Sequence, residues 1–300
     1  MENVMLISKF KMFGNAFLCA TPLLCISPAV WADWVGNSEV GIRHDSNVNN
    51  AQLANDIASD SVLNAGISAT GFFPFEAGES LSLSGELKGE TFNSHTGLNN
   101  VSLGAALGLR KKWALGPYAP WTAMSLSSAR LDYTDNIRNG WRHQAAIRGG
   151  QRVFERWDLR AEYMVERRTA NSFLSDIPGL SGDAFSQSSQ AMTLNAEYAW
   201  SDSLFLTFGT LLRHGDVVAS TRRGRKIFSA SKAIADDPVF GQDFYAYRMT
   251  GTTYGLNVDM NIAVTPHSLL RASMLRQLTH AAGDNNYAKN VSMLSWNYNF

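Results

Sequence analysis

The sequence predicts an all-β fold, a closed antiparallel transmembrane β-barrel of twelve strands. Three observations lead to this prediction. Many segments alternate apolar and polar residues with the period of two that belongs to a strand, and a helical period would mix the two sets. The connections between these segments alternate between short and long, as in membrane barrels. The chain also ends in an alternating, aromatic strand.

The last strand carries the most specific pattern. Leu294, Trp296, Tyr298 and Phe300 fall on one face, and the serine and asparagines between them fall on the other. This segment resembles the terminal strand of bacterial outer-membrane β-barrels. The resemblance implies an outer-membrane location, and it implies that the barrel-assembly machinery reads these four residues as its signal.

The N-terminal segment predicts export. Lys9 and Lys11 precede an apolar stretch, and small or β-branched residues at Val30 and Ala32 predict cleavage after Ala32. We therefore expect a signal peptide at 1–32 and a barrel domain at 33–300. Both cysteines fall in 1–32, so the mature chain would have no disulfide and no thiolate metal site.

Twelve extended segments can be marked, and the tight turns follow the even-numbered ones. Short periplasmic turns and longer surface loops are typical of outer-membrane barrels, so both mature termini are predicted to be periplasmic. Ten or fourteen strands stay open as alternatives, and a soluble β-sandwich is the alternative fold. The segments begin near Ser38, Ser61, Glu79, Asn99, Tyr118, Gly140, Arg156, Ser189, Ser203, Phe244, His267 and Tyr287.

Aromatic residues near the strand ends are predicted to form two girdles at the membrane interfaces. The candidates are Phe72, Phe73, Trp121, Tyr133, Trp141, Trp157, Trp200, Trp296 and Tyr298.

The polar face of the strands is rich in charge, and it predicts the lining of a lumen. Opposite charges on neighbouring strands would brace the wall, whereas unpaired arginines would favour anions along an open path. Twelve strands give an intermediate bore, which predicts a narrow or plugged pore. The lining candidates are Arg43, Glu86, Lys88, Glu90, Arg110, Arg142, Arg148, Arg152, Arg160, Glu162, Glu166, Arg168, Glu197, Asp259 and Arg271.

A long loop between Gly215 and Asp243 carries a surface basic run, Arg222, Arg223, Arg225 and Lys226. Such a run can bind lipopolysaccharide phosphates or an acidic partner, or it can simply be solvated. The loop is also long enough to fold inward as a constriction.

One short motif could carry catalysis. His44-Asp45-Ser46-Asn47 resembles the nucleophile motif of outer-membrane phospholipase A and, more loosely, of lipid A deacylases. That resemblance implies Ser46 as nucleophile and His44 as base, both on the lipid side by alternation, with Asn64 as the candidate that orients the imidazole. Val48 stands where the motif usually has glycine.

The two ends of the predicted barrel domain show a second resemblance. Asp45-Ser-Asn-Val-Asn-Asn-Ala51 looks like the opening of the barrel domain of surface-lipoprotein assembly modifiers, and Asp284 to Val291 is similar to the entry into that family's last strand. The resemblance implies transport of an exported lipoprotein. Those modifiers also carry an N-terminal helical-repeat domain that captures the client, and we expect none here.

Composition limits the function classes that this protein could belong to. The 26 basic and 26 acidic residues balance, so no global field favours nucleic acid. No histidine pair has ligand spacing, and no cofactor is expected. Three classes follow: a narrow pore or translocation barrel for small anionic solutes or an exported partner, a lipid-ester hydrolase, and a structural or surface-interaction barrel with a closed lumen.

Overall fold

The computed structural model describes residues 33–76, 78–171 and 180–300, which contain thirteen strands, one short α-helix and four single-turn 3-10 helices. The predicted signal peptide lies outside these residues. The elements are β1 (Asp33–Asp45), β2 (Asp60–Glu76), β3 (Glu79–Phe92), β4 (Asn100–Lys112), β5 (Trp121–Tyr133), β6 (Gly140–Phe154), β7 (Trp157–Ala170), β8 (Gln187–Ala199), β9 (Leu204–Arg222), α1 (Arg225–Ala230), β10 (Ala233–Asp236), β11 (Phe244–Thr265), β12 (Ser268–Ala281) and β13 (Tyr287–Asn299). Within the described ranges, no helix has the length and apolarity needed to cross a membrane.

Twelve of these strands form a closed antiparallel barrel. Each pairs with its neighbour in the chain, β9 pairs with β11, and β1 pairs with β13 to close the ring. Closure gives the wall strands partners on both sides and leaves no edge for another chain to pair with. The prediction of a twelve-stranded barrel is confirmed, and the soluble β-sandwich alternative is wrong.

The thirteenth strand was not predicted. β10 lies in the long connection between β9 and β11 and pairs with residues Tyr245–Arg248 of β11. Because β12 pairs with β11 from Gly251 onward, β10 continues the sheet past the end of β12.

The two ends of the barrel differ in their connections. The turn end carries the connections that follow β2, β4, β6, β8 and β11, together with Asp33 and Phe300. The loop end carries the connections that follow β1, β3, β5, β7, β9 and β12, most of which are longer. The alternation expected from the sequence is present, although β1 begins at Asp33 rather than near Ser38.

The apolar rows lie on the outer surface of the wall. Leu103 is 65% exposed and Leu256 is 66% exposed, although both occupy the middle of long strands. Leu83, Val101, Met192 and other predicted outward residues are exposed in the same way. A contiguous apolar surface of this kind is unfavourable in water and favourable against acyl chains.

Aromatic residues cluster on the outer surface of the barrel near its turn end. Trp34, Phe75, Trp113, Trp200 and Phe300 are all more than half exposed there. A girdle was predicted at this position, but of these five residues only Trp200 was among the predicted candidates.

Phe72 is one exception, because it is the register partner of Ser82 and lines the inside of the barrel. Trp121 and Tyr133 are the others, because both share the inward face of β5. The guanidinium of Arg110 stacks 5.0 Å from the Trp121 ring centroid, and that of Arg168 stacks 5.2 Å from the Tyr133 ring centroid. These two aromatics therefore contribute to the lumen.

Candidate functional site

Ion pairs brace the inner face of the wall. This is one of the two arrangements that the sequence allowed for the charged face. Arg148 pairs with Glu162 at its register position on the next strand. Such pairing satisfies charges that would be costly to leave alone in a narrow interior. Further pairs on this face include Arg43–Glu90 at 3.0 Å, Lys88–Glu86 at 2.7 Å, Arg160–Asp158 at 2.9 Å, Arg160–Glu197 at 3.2 Å and Arg271–Asp259 at 3.2 Å.

Several predicted lining arginines have no carboxylate within salt-bridge distance among the described residues. Arg110 stacks on Trp121, and Arg168 donates from Nη2 to the backbone oxygen of Arg138 at 2.9 Å. Arg142 and Arg152 share this lack of an acidic partner. Glu166 accepts a hydrogen bond from Gln144 at 2.7 Å and so does not neutralise an arginine. The wall thus carries an excess of positive charge.

The first lumen cavity, of about 490 Å³, lies against β3 to β6. Arg110, Arg142 and Arg148 line it beside the Lys88–Glu86 pair. The inward faces of β3 and β5 add hydroxyls from Ser82, Ser84, Ser125 and Ser127. This cavity therefore offers cations and hydrogen-bond donors to an anion, with one carboxylate that already has a partner.

The second lumen cavity, of about 330 Å³, lies near the loop end. Arg138, Arg168, Arg213 and Lys289 line it, and Asp45 pairs with Lys289 at 3.0 Å. Arg213 donates to the backbone oxygen of Asp216 at 2.9 Å, so its charge also lacks a carboxylate partner among the described residues.

Residues 216–250, here called the cap, close the loop end of the barrel. The neighbouring strands stop at one level, since β8 last pairs with Gly215 and β12 last pairs with Gly251. Gly215 and Gly251 are themselves register partners, and β9 and β11 continue beyond them as a hairpin. Gly215 has a φ of +142°, and a Cβ there would lie 2.6 Å from the Cα of Ser189. Glycine permits the hairpin to change direction at this point.

Polar contacts tie the cap to the β1–β2 loop. Asn49 donates from Nδ2 to the backbone oxygens of Ser220 at 2.8 Å and Asp56 at 2.7 Å, and the backbone nitrogen of Ser220 donates to the backbone oxygen of Asn49 at 2.8 Å. Asp56 accepts from the Thr221 hydroxyl and from Arg222 at 3.0 Å. Because β1 and β2 are remote from β9 in the ring, these contacts require the cap to extend across the mouth of the barrel.

Apolar contacts extend the cap further across the barrel. Val239 and Phe240 pack on a buried cluster of Val62, Phe92 and Leu98, which belongs to the β2 to β4 side. That side is opposite β9 in the strand order. The cap therefore spans the whole mouth. The constriction that the sequence allowed is present at the loop end.

A buried ion pair fastens the cap to the β5–β6 loop. Asp237 is fully buried, and Arg138 Nη2 donates to both of its carboxylate oxygens, at 2.6 and 2.7 Å. The Ser220 hydroxyl also donates to Asp237, and Arg138 Nε donates to Asp135 at 3.1 Å. Burial raises the pKa of Asp135, the charge of Asp237 adds to the rise, and Arg138 opposes it. We call Arg138, Asp237 and Ser220 the latch.

The sequence reasoning allowed the loop between Gly215 and Asp243 to fold inward, but it missed the latch and the other contacts that hold the cap. Asp237 precedes Pro238 in a polar loop and carries no motif, and its partner Arg138 is 99 residues away. The asparagines of the β1–β2 loop entered the sequence analysis only through a family resemblance, which gave no sign of their contacts with the cap. Gly215 marked the start of the long loop, and it was the one local signal of a change in direction.

The four members of the basic run have different environments. Arg222 pairs with Asp56, and Lys226 pairs with Asp284 at 2.8 Å. Arg223 donates from Nη2 to the Tyr245 hydroxyl at 2.6 Å. Arg225 starts α1, and no carboxylate lies within salt-bridge distance of it among the described residues. The run is therefore not one uniform basic patch.

The candidate catalytic residues are not assembled as a triad. His44 Nδ1 lies 3.2 Å from the Ser61 hydroxyl, and the Ser46 hydroxyl accepts a hydrogen bond from the backbone nitrogen of Asn290 at 2.9 Å. Asn64 donates to Glu39 at 3.2 Å on the inward face, whereas His44 has outward parity. The assignment of Asn64 as the orienting residue is therefore wrong, because the two side chains lie on opposite faces of the wall.

The terminal strand has the predicted faces. Leu294, Trp296, Tyr298 and Phe300 are exposed on the outside of β13 and the residue that follows it. Phe300 and Gly36 exchange backbone hydrogen bonds of 2.9 and 3.0 Å, so the seam between β1 and β13 extends to the last residue. Within the described residues, no group of three or more histidine, cysteine, aspartate or glutamate side chains could hold a metal ion.

Together these features define a closed twelve-stranded barrel of the outer-membrane type. Comparison with solved structures agrees. The chain is similar to the COG4313 outer membrane channel from Pseudomonas putida F1, with a TM-score of 0.59, 13% identity, and coverage of 94% of this chain and 100% of that one. At this identity the likeness establishes the fold.

Two porins are matched more distantly. The anion-selective porin from Comamonas acidovorans has a TM-score of 0.43 and 9% identity, covering 90% of this chain and 100% of that one. The KdgM porin solved with oligogalacturonate has a TM-score of 0.41 and 12% identity, covering 87% and 99%. No protein-family model and no curated protein sequence matches the chain.

Proposed function

We propose that this protein is a narrow outer-membrane pore that prefers small anions and rests with its loop end capped. The apolar outer belt, the short turns at one end and the longer loops at the other support this location, with the loop end outside and both mature termini in the periplasm. Recognition of the terminal strand by the barrel-assembly machinery belongs to the same proposal.

The observation that carries the anion preference is the unequal pairing of charge in the lumen. Most lining acids are held by a basic partner, whereas Arg110 and Arg142 line the larger cavity without one. Near the cap, Arg168 and Arg213 extend the excess of positive charge. Fixed cations in a water-filled passage lower the energy of a passing anion and raise that of a cation.

The cap supports a second candidate, a structural or surface-interaction barrel whose lumen stays shut. Its contacts cross the mouth from β9 to the β2–β4 side, so the cap stands between the loop end and the lumen. Export of a lipoprotein, which the resemblance to assembly modifiers implies, would require the whole cap to leave the mouth. Planar-bilayer conductance separates these functions, since a folded barrel that never conducts would be structural.

The anion preference is tested by the reversal potential in a salt gradient. The Arg110→Gln/Arg142→Gln variant removes two unpaired charges, and the Arg43→Gln/Glu90→Gln variant removes a matched pair as the control. A unit charge at about 4 Å in water is worth about 1 kcal/mol, or roughly fivefold in relative permeability. We expect a shift of this order toward cations in the first variant and little change in the control. Cation preference in the unmodified protein would overturn the proposal.

Orientation is tested separately by thiol labelling. Residues 33–300 contain no cysteine, so single cysteines can be introduced at exposed positions of the two ends. Leu53 in the β1–β2 loop is 63% exposed, and Leu115 in the β4–β5 turn is 93% exposed. In intact cells a membrane-impermeant maleimide should label Leu53→Cys and spare Leu115→Cys. The reverse pattern would invert the topology.

A further inference from the structure

A groove of about 430 Å³ lies on the cap, apart from both lumen cavities. We call it the cap groove. It is formed where α1 and β10 pack beside the outer part of β11. Its lining residues are Arg223, Gly224, Arg225, Phe228, Ile234, Tyr245 and Tyr247.

The charged part of the cap groove consists of two arginines, Arg223 and Arg225. Arg223 is held by its hydrogen bond to the Tyr245 hydroxyl, and its guanidinium stacks 4.8 Å from the Tyr245 ring centroid. Arg225 is the second cation, and no carboxylate is among the lining residues. Two arginines without an acid form a site that favours a phosphate or carboxylate, because guanidinium binds such groups in a bidentate manner.

The remaining lining is apolar and aromatic. Ile234 and Tyr247 form part of a buried cluster, which gives the groove a rigid floor. Phe228 is 42% exposed beside the arginines, so its ring is available to pack on an apolar part of a ligand. A ligand that matches both parts carries an anionic head and an apolar body.

We propose that the cap groove binds a phosphorylated lipid, namely the lipid A part of lipopolysaccharide. The charge complementarity selects the phosphate, and the aromatic floor selects the apolar body. With the loop end outside, this lipid forms the leaflet around the cap. Arg223 and Arg225 contact the phosphate, while Phe228 packs on an acyl chain. Arg222 and Lys226 take no part, because Asp56 and Asp284 already hold them.

Binding is tested with purified full-length barrel in detergent by native mass spectrometry, using added bisphosphorylated lipid A, dephosphorylated lipid A and inorganic phosphate. A charge-assisted hydrogen bond of about 1.5 kcal/mol corresponds to about a tenfold change in Kd. We expect Arg223→Ala and Arg225→Ala each to weaken lipid A binding about tenfold. Phe228→Ser, which keeps both arginines, should also weaken it. Arg156→Ala, which changes an exposed arginine in the β6–β7 turn, is the matched control.

Equal lipid A affinity in the wild type and the Arg223→Ala/Arg225→Ala variant would overturn the proposal. Equal binding of dephosphorylated lipid A would overturn the role of the phosphate, and equal binding of inorganic phosphate would replace the lipid with a soluble anion. Far-UV circular dichroism and heat-dependent gel migration check that each variant keeps the barrel. Conductance in bilayers free of lipopolysaccharide reports on the pore alone, so failure of this inference is distinct from failure of the pore.

Discussion

Disruption of the latch is the most direct test of whether the cap closes the mouth of the barrel. Asp237→Ala removes a fully buried carboxylate that accepts two hydrogen bonds from Arg138 and one from the Ser220 hydroxyl. The variant leaves the Arg138 guanidinium buried with Asp135 as its remaining carboxylate partner. The closed cap should therefore lose stability relative to an open one, while the wall strands keep their hydrogen bonds.

The magnitude follows from burial. Removal of one partner of a buried ion pair costs about 3–5 kcal/mol, because the other charge stays desolvated. Since 1.4 kcal/mol is a factor of ten, the ratio of open to closed cap should rise on the order of 10²–10⁴-fold. Asp237→Asn keeps the shape and part of the hydrogen bonding, so its effect should be smaller. The neighbouring Asp236 is exposed and outside the latch, which makes Asp236→Ala the control.

Two measurements report on the cap. Single-channel recording gives the open fraction, and limited trypsin digestion at the basic run gives the accessibility of the cap in detergent. Asp237→Ala should conduct more often and be cut faster than both the wild type and Asp236→Ala. If all three proteins show the same open fraction and the same cleavage rate, the latch does not hold the mouth shut.

Three further predictions follow from single contacts. Gly36→Val should lower the temperature at which the barrel unfolds in heat-dependent gel migration, because a Cβ there would overlap the Phe300 ring in the seam, whereas Gly85→Ala meets its nearest atom at 4.0 Å and should be neutral. Ser46→Ala should leave phospholipid and lipid A hydrolysis unchanged from wild type, and a measurable loss would restore the enzyme hypothesis. Because burial raises the pKa of Asp135 above its ordinary value of 3.8, its contribution to cap stability is complete below pH 3.8 and is lost as pH rises through the folded pKa. The open fraction in single-channel recordings should therefore increase with pH, and Asp135→Asn should flatten that dependence.

The wall could be predicted from the sequence because its side chains must alternate between lipid and lumen along every strand. Each strand must present apolar side chains to lipid and polar ones to the lumen, so the rows that contain Leu83, Leu103 and Leu256 are visible in the sequence. β5 shows the limit of this argument. Trp121 and Tyr133 are amphipathic rings that suit either face. In the structure both lie on the inward face, where Arg110 of β4 stacks on Trp121 and Arg168 of β7 stacks on Tyr133.

The contacts that hold the cap could not be predicted, because they are long-range and not periodic. Arg138 and Asp237 are 99 residues apart, and Asn49 is 171 residues from Ser220. Each is an ordinary polar loop residue until closure of the barrel brings the loops together. The basic run shows the same limit, since partners on other loops separate Arg222 and Lys226 from Arg223 and Arg225.

The division between wall and cap has a consequence for dynamics. The wall buries its outer face only against lipid, and its backbone hydrogen bonds close on themselves around the ring. The cap instead is held by a core like that of a soluble protein, with Tyr247 and Met249 fully buried in one cluster and Val62 and Phe92 in another. Segments held by separate contacts can open with a smaller free energy than the whole molecule. Opening of the mouth therefore requires loss of the cap clusters and the latch, and it leaves all twelve wall pairings intact.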